Sequence, residues 1–91
     1  MDRMQIVEHL IESIAHIFGE TVGVTSESCI TGPFEMLVFQ FNEHPVKIFV
    51  HRETEIGIYY NCSTSYYFSG ALDKVKNQLK FLREHAKLGN S

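Results

Sequence analysis

The apolar positions at the two ends of the chain recur at helical spacing. Residues 2–18 form one apolar stripe with Val7, Leu10, Ile11, Ile14 and Phe18. Gly19 follows this stripe and is suited to end a helix. Residues 69–87 repeat the pattern, with an apolar stripe of Leu72, Val75, Leu79, Leu82 and Ala86. Ser69, at the start of this segment, is a suitable N-cap. We therefore predict one helix at each end.

Three segments between the helices have the composition and alternation of strands. They are residues 35–42, 46–52 and 56–62. The connections between them are short, so we expect an antiparallel meander. Residues 21–25 alternate weakly, and a short extra edge strand is one interpretation of them. The sequence predicts a single α+β domain of two layers in the order α-β-β-β-α, with both helices on one face of the sheet.

The alternation divides the apolar residues of these strands between two faces. We expect one set to face the helices: Val46, Ile48, Val50, Ile56, Ile58 and Tyr60. A period of two then sends Phe49 and Tyr59 to the opposite face, beside Lys47 and His51. One apolar set from strand 35–42 joins them, either Met36 and Val38 or Leu37, Phe39 and Phe41. An uncovered apolar patch of this kind usually marks a contact surface.

Further aromatic residues point to a recognition surface. Phe81 lies opposite the apolar stripe of the second predicted helix, and Tyr66, Tyr67 and Phe68 crowd the connection before it. Tyrosine is favoured in recognition surfaces. Alternatively, residues 21–33 fold over the uncovered face, or the tyrosines pack at sheet edges. The predicted protein-interface residues are Phe39, Phe41, Phe49, His51, Tyr59, Tyr66, Tyr67 and Phe81.

The net charge of −3 conceals an asymmetry between the halves of the chain. Residues 1–45 hold seven acids and one base, which gives −6, and residues 46–91 hold four acids and seven bases, which gives +3. Opposite charges can make a small domain self-complementary or present one pole to a partner. We favour a simpler interpretation, in which two solvated helices of opposite charge pack side by side.

The basic residues of the second helix support an alternative function, nucleic-acid binding. They are Lys74, Lys76, Lys80, Arg83 and Lys87. The α-β-β-β-α order is similar to that of double-stranded RNA-binding domains, and this resemblance implies that the second helix meets phosphates. Those domains cluster lysines at the N-terminus of that helix, whereas the corresponding residues here are Ser-Gly-Ala-Leu-Asp at 69–73. The acidic first helix would also repel a duplex that it faced, so we place this function second.

Candidate chemistry in the sequence is weak. Glu12 and His16 have the spacing to bind one ion, but His9 and His16 lie about 10 Å apart along a helix, too far to share it. Cys29 and Cys62 form no CxxC pair and are expected to be separate thiols in a reducing compartment. We recognise no nucleophile elbow and no phosphate-binding glycine loop. We therefore expect no enzyme activity, no metal site and no cofactor.

The chain also resembles two kinds of protein-binding protein, one in the elements at its start and the other in its size. Small acidic secretion chaperones likewise begin with a helix and a three-stranded meander, and they dimerise, although this chain lacks their later strands. Compact inhibitors encoded by phages and plasmids are similar in their small size. The first resemblance implies a homodimer. We expect a non-catalytic protein-interaction module that is an adaptor, chaperone-like protein or inhibitor, and that binds itself or a larger partner through the uncovered face.

Polar residues in the first helix also affect the expected location. No apolar run reaches the roughly 18 residues that span a bilayer, so we expect no membrane partner. Glu8, His9 and Glu12 interrupt the apolar stretch that a signal peptide would need. A cytoplasmic location is therefore expected.

Overall fold

The computed structural model describes residues 2–28, 34–61 and 65–89. Two helices, α1 (Arg3–Phe18) and α2 (Leu72–Gly89), stand before and after five strands: β1 (Thr25–Ser28), β2 (Glu35–Phe41), β3 (His44–Arg52), β4 (Glu55–Asn61) and β5 (Ser65–Gly70). Both predicted helices, the three predicted strands and the α+β class are confirmed. Cys29, Cys62 and the predicted break at Gly32-Pro33 lie outside the described residues.

The strands form one antiparallel sheet in the order β1-β2-β3-β4-β5. The predicted three-stranded meander is therefore its centre, with one strand added at each edge. The prediction of an edge strand at 21–25 was placed too early, because β1 begins at Thr25. The tyrosine-rich connection is a strand, β5, since aromatic residues pack well on a pleated sheet.

The two helices begin in different ways. In α1, the Asp2 carboxylate accepts a bond from the Gln5 backbone N–H, and the Gln5 side chain accepts one from the Asp2 N–H, both at 2.9 Å. This reciprocal pair is a capping box. Ser69 belongs to β5, so its predicted role as the N-cap of α2 was wrong. Instead, the Leu72 N–H donates to the Glu53 carbonyl at 2.9 Å, and the turn between β3 and β4 satisfies the first donor of α2.

A two-residue turn sets the register between β2 and β3. Asn42 and Glu43 both have positive φ, 52° and 68°, which suits a tight hairpin. The turn pairs Phe39 with Val46 and Leu37 with Ile48. Because Val46 and Ile48 face the helices, the odd-numbered residues of β2 do so as well. The alternative left open by the sequence is thus resolved, with Met36 and Val38 on the opposite face.

The core lies between the helices and one face of the sheet. Helix α1 packs on β2 and β3, helix α2 packs on β4 and β5, and the two helices contact each other. Both helices therefore lie on one face, as predicted. The buried residues are Ile6, Val7, Leu10, Ile14, Ile17, Leu37, Phe39, Val46, Ile48, Val50, Ile56, Ile58, Tyr60, Leu72, Val75, Leu79 and Leu82.

Candidate functional site

The face of the sheet opposite the helices is built from two rows of side chains that cross the five strands. One row consists of Glu27, Met36, Phe49, Gly57 and Ser69. The other consists of Thr25, Val38, Lys47, Tyr59 and Tyr67. Cross-strand neighbours on one face lie close enough to touch, so each row is a ridge, which Gly57 interrupts in the first row. We call this surface the open face, and its apolar members are Phe34, Met36, Val38, Phe49, Tyr59 and Tyr67.

Aromatic contacts hold one end of the open face together. The ring centroids of Phe34 and Phe49 lie 5.6 Å apart in an edge-to-face arrangement, and those of Phe34 and His51 lie 5.0 Å apart. Tilted and edge-to-face arrangements are favourable for aromatic pairs. Tyr67, at the other end, remains 66% exposed. The open face therefore combines fixed rings with one prominent tyrosine.

No described helix or strand packs on the open face, because α1 and α2 both lie on the other side of the sheet. One alternative from the sequence was that residues 21–33 cover it. Val22 and Val24 pack against the core, and residues 25–28 pair at the sheet edge as β1. Residues 29–33 lie outside the described part of the chain. The described portion of this segment thus leaves the open face uncovered.

A recess lies on the open face above Gly57, lined by Phe49, His51, Glu55, Gly57, Tyr67 and Ser69, with a volume of about 510 Å³. It exists because glycine contributes no side chain at the position between Phe49 and Ser69 in its row. The Tyr67 hydroxyl lies 3.5 Å from the place where a Cβ of residue 57 would stand. The recess thus has aromatic walls and polar groups at its rim, features common in sites that accept a side chain.

Four of the predicted interface residues, Phe49, His51, Tyr59 and Tyr67, lie on the open face. The structure corrects the placement of three others. Phe39 is 1% exposed, and Phe41 packs against Phe18 at 4.9 Å between ring centroids. Tyr66 faces α2, where its hydroxyl is hydrogen-bonded to Gln78. The register of the hairpins turns all three toward the helices.

Phe81, the remaining predicted interface residue, is separate from the open face. It lies on α2, on the other side of the sheet, and is 47% exposed. Gln78 lies one turn before it, and because Gln78 meets Tyr66 of β5, this flank of α2 faces the β5 edge. Phe81 therefore belongs to a different surface.

Burial raises the pKa of the Tyr66 phenol above its usual value of 10.0. The cause is desolvation, which disfavours the phenolate. Because the hydroxyl is hydrogen-bonded to Gln78 on the helix side of the sheet, Tyr66 fixes β5 to α2. Its role is structural support for the edge of the open face.

The basic residues of α2 are divided between its two flanks. Lys76, Lys80 and Arg83 line a groove between α1 and α2, opposite His9, Glu12 and His16. Lys76 Nζ lies 3.0 Å from His9 Nε2. Lys74 lies on the flank near Gly70, and the side chain of Lys87 is outside the described part. Nucleic-acid binding by these residues stays a prediction, but acidic and histidine side chains of α1 line the same groove.

The polar stripe of α1 carries the histidines considered as metal ligands. His9, Glu12 and His16 face the groove between the helices. Within residues 2–28, 34–61 and 65–89, no three His, Cys, Asp or Glu side chains come together as a metal-binding group. Likewise, neither described helix is long and apolar enough to cross a bilayer.

Comparisons with protein-family models, curated proteins and solved structures find no match for this chain. Its function must therefore be inferred from its own surfaces.

Sequence reasoning missed three members of the open face. Phe34 follows a predicted break and was not assigned to a strand face. Met36 and Val38 were one of two alternatives, and the Asn42-Glu43 turn was the signal that decides between them. Read as a two-residue hairpin, this turn alone would have placed them opposite the helices. The recess above Gly57 had no comparable signal, because it depends on pairing with both neighbouring strands.

Proposed function

We propose that this chain is a non-catalytic protein-interaction module whose open face is covered by a second copy of the chain. The observation that carries the proposal is a group of apolar residues in two rows across four strands, over which no described helix or strand packs: Phe34, Met36, Val38, Phe49, Tyr59 and Tyr67. Apolar side chains grouped in this way are costly to leave in water and usually mark an interface.

The dimensions of the open face support a protein partner rather than a small ligand. Five strands spaced about 4.8 Å apart, with strands of about 3.3 Å per residue, give a flat area on the order of 500 Å². This projected area is of the same order as the roughly 800 Å² that each partner contributes to an interface of standard size.

The charges of the open face support a second copy as the partner. Lys47 and His51 lie on the same face as Glu27 and Glu55. A two-fold axis parallel to the sheet can place the positively charged residues of one copy over the negatively charged residues of its partner. A surface that carries both signs in this way is complementary to itself. Two sheets would then pack face to face, as in a β-sandwich.

Light scattering of the purified chain tests the proposal. We expect the parent to self-associate and both Phe49→Asp and Tyr59→Asp to weaken this association by at least tenfold, because each buries a carboxylate in the contact. Met4→Asp is the matched control, since Met4 is an exposed apolar residue on α1, on the other side of the sheet. Circular dichroism should show the same folded content in all four proteins.

Two results would contradict the proposal. One is a parent that stays monomeric throughout a concentration series. The other is an unchanged oligomeric state in both Phe49→Asp and Tyr59→Asp while the variants remain folded.

A further inference from the structure

We propose that strand β5 pairs antiparallel with β5 of a second copy, so that two sheets join edge to edge. This contact is separate from the face-to-face contact proposed above. It involves the backbone edge of β5 and the flank of α2 that carries Phe81, and the two contacts share only the side chains of Tyr67 and Ser69, which end the two open-face rows on β5.

The two edges of the sheet differ in their protection against such pairing. Strand β1 is four residues long and carries Glu27. Strand β5 is six residues long, Ser-Tyr-Tyr-Phe-Ser-Gly, with no charge and no proline. Short length, charge and proline are the usual means by which proteins prevent edge strands from pairing with other chains. Only β1 has such protection.

The outer edge of β5 is also uncovered in the described part of the chain, where β5 contacts only β4 and α2. Outward-pointing backbone groups along an exposed edge strand are hydrogen-bonded to water, and an added strand can take the place of that water. An antiparallel copy of β5 meets no charge repulsion, because the strand carries none. Aromatic residues directly across from one another also favour pairing.

Helix α2 supplies the second argument for a copy of this chain as the occupant. Because α2 contacts both β4 and β5, its axis lies above the space between these two strands. The two-fold axis that relates the paired β5 strands lies half a strand spacing beyond β5, so the α2 axis is about 5 Å from it. Two copies of α2 would therefore run side by side at about 10 Å, which is a normal distance for packed helices. The facing flanks carry Lys74, Gln78 and Phe81, so the pairing would cover Phe81, which is 47% exposed in the single chain, beside one lysine from each copy.

The geometry makes this contact compatible with the face-to-face contact. A two-fold axis that pairs β5 with its copy is perpendicular to the sheet, so the helices of both copies stay on one side and the open faces on the other. If this two-fold axis crosses the two-fold axis of the face-to-face contact at right angles, the assembly closes as a tetramer. Such a tetramer has four times the 10.5 kDa mass of the chain.

Sedimentation or light scattering of matched variants tests the β5 contact. Ser69→Lys places a charge on β5 at the end of one open-face row, and Thr25→Lys makes the same change at the end of the other row, on the opposite edge strand β1; because both lysines lie on the open face, a loss in Ser69→Lys alone identifies the β5 edge. Phe81→Asp changes the α2 flank and leaves the sequence of β5 unchanged, and Met4→Asp is its control on α1. We expect Ser69→Lys and Phe81→Asp to convert the parent tetramer to a dimer, and both controls to leave it unchanged.

The results separate this inference from the proposed function. If both contacts exist, Phe49→Asp also gives a dimer, and Phe49→Asp combined with Phe81→Asp gives a monomer. If the parent is a dimer that Phe81→Asp converts to a monomer and Phe49→Asp does not, the β5 contact is supported and the proposed face-to-face contact is overturned. If the parent is a dimer that Phe49→Asp converts to a monomer and Phe81→Asp does not, only the β5 contact is overturned. A monomeric parent overturns both contacts. Phe81→Asp remains informative even if Ser69→Lys fails to fold.

Discussion

The two faces of the sheet carry different side chains and differ in how far those side chains are buried. On the helix side, β3 and β4 contribute Val46, Ile48, Val50, Ile56 and Ile58, all of them fully buried. On the open face the same strands contribute Lys47, Phe49, His51, Gly57 and Tyr59, of which only the glycine is buried. Each strand thus contributes one buried row, which is aliphatic apart from Tyr60, and one row in which aromatic residues alternate with polar ones or glycine.

This difference shows what distinguishes a core from a contact surface. Aliphatic side chains fill the space under α1 and α2 at high density, and a polar group there would need a partner. On the open face, rings supply contact area and the interspersed Lys47, His51 and Glu55 keep the face in water as a single chain. This mixture is typical of non-obligate interfaces, which are about as apolar as the rest of a protein surface.

Substitution of adjacent residues on β3 should show the largest difference between the faces. Ile48→Ala removes a fully buried side chain and should lower the free energy of unfolding by about 2–5 kcal/mol. Phe49→Ala should cost about 1 kcal/mol or less in dilute protein, because the side chain stays partly exposed. Urea denaturation at low concentration measures both. Equal losses would mean that the open face is buried within the single chain.

The tyrosines of β4 provide a second comparison. The Tyr60 hydroxyl donates to the Phe41 carbonyl at 3.0 Å on the helix side. Tyr60→Phe should therefore lower the free energy of unfolding by about 1 kcal/mol, because it leaves this carbonyl without that bond. Tyr59→Phe, on the open face, should change it by less than about 0.5 kcal/mol. A larger loss for Tyr59→Phe in dilute protein would contradict the different environments of the two rings.

Two glycines on opposite faces give a smaller effect. A Cβ at Gly57 would meet the Tyr67 hydroxyl at 3.5 Å, an ordinary contact. Gly57→Ala should therefore raise the free energy of unfolding by about 0.5–1 kcal/mol, since alanine loses less backbone entropy. A Cβ at Gly70 would approach the Phe68 ring to 3.1 Å, so Gly70→Ala should gain less or lose stability. Thermal unfolding of both variants measures the difference, and a gain at Gly70 equal to that at Gly57 would be evidence against the packing of Phe68.

The smallest effect concerns Tyr66 of β5 at alkaline pH. Burial raises the pKa of Tyr66, so the unfolded chain loses this proton first as the pH passes 10.0. The contribution of Tyr66 to stability is therefore fully present below that pH and declines above it. Tyr66→Phe should lose less stability than the parent between about pH 9 and about pH 11. A Tyr66→Phe curve that runs parallel to the parent curve would contradict the assignment.

The periodicity of apolar residues was sufficient to predict α1, α2 and the three central strands. Apolar residues that face a core must recur on one side of a helix or strand. Their spacing along the chain therefore indicates the period of the local structure. The sorting of Ile48 and Phe49 onto opposite faces followed from the same period. The edge strands were harder, because β1 is polar and short and the aromatic residues of β5 suit a loop contact as well as a strand.

Pairing between strands decided the remaining features. Whether Phe39 or Val38 faces the helices depends on the Asn42-Glu43 turn, since a shift of one residue in a hairpin moves every side chain to the other face. The recess above Gly57 depends on contacts with Phe49 and Ser69 from two other strands.

The sequence alone therefore determined the elements and the excess of apolar residues over what one sheet face requires. Only the tertiary structure decided which of them the helices cover, because burial depends on register and on the side of the sheet to which both helices return. It also showed that Tyr66 fixes β5 to α2 while Tyr67, the next residue, points away from the core. Local periodicity has no information about such distant contacts.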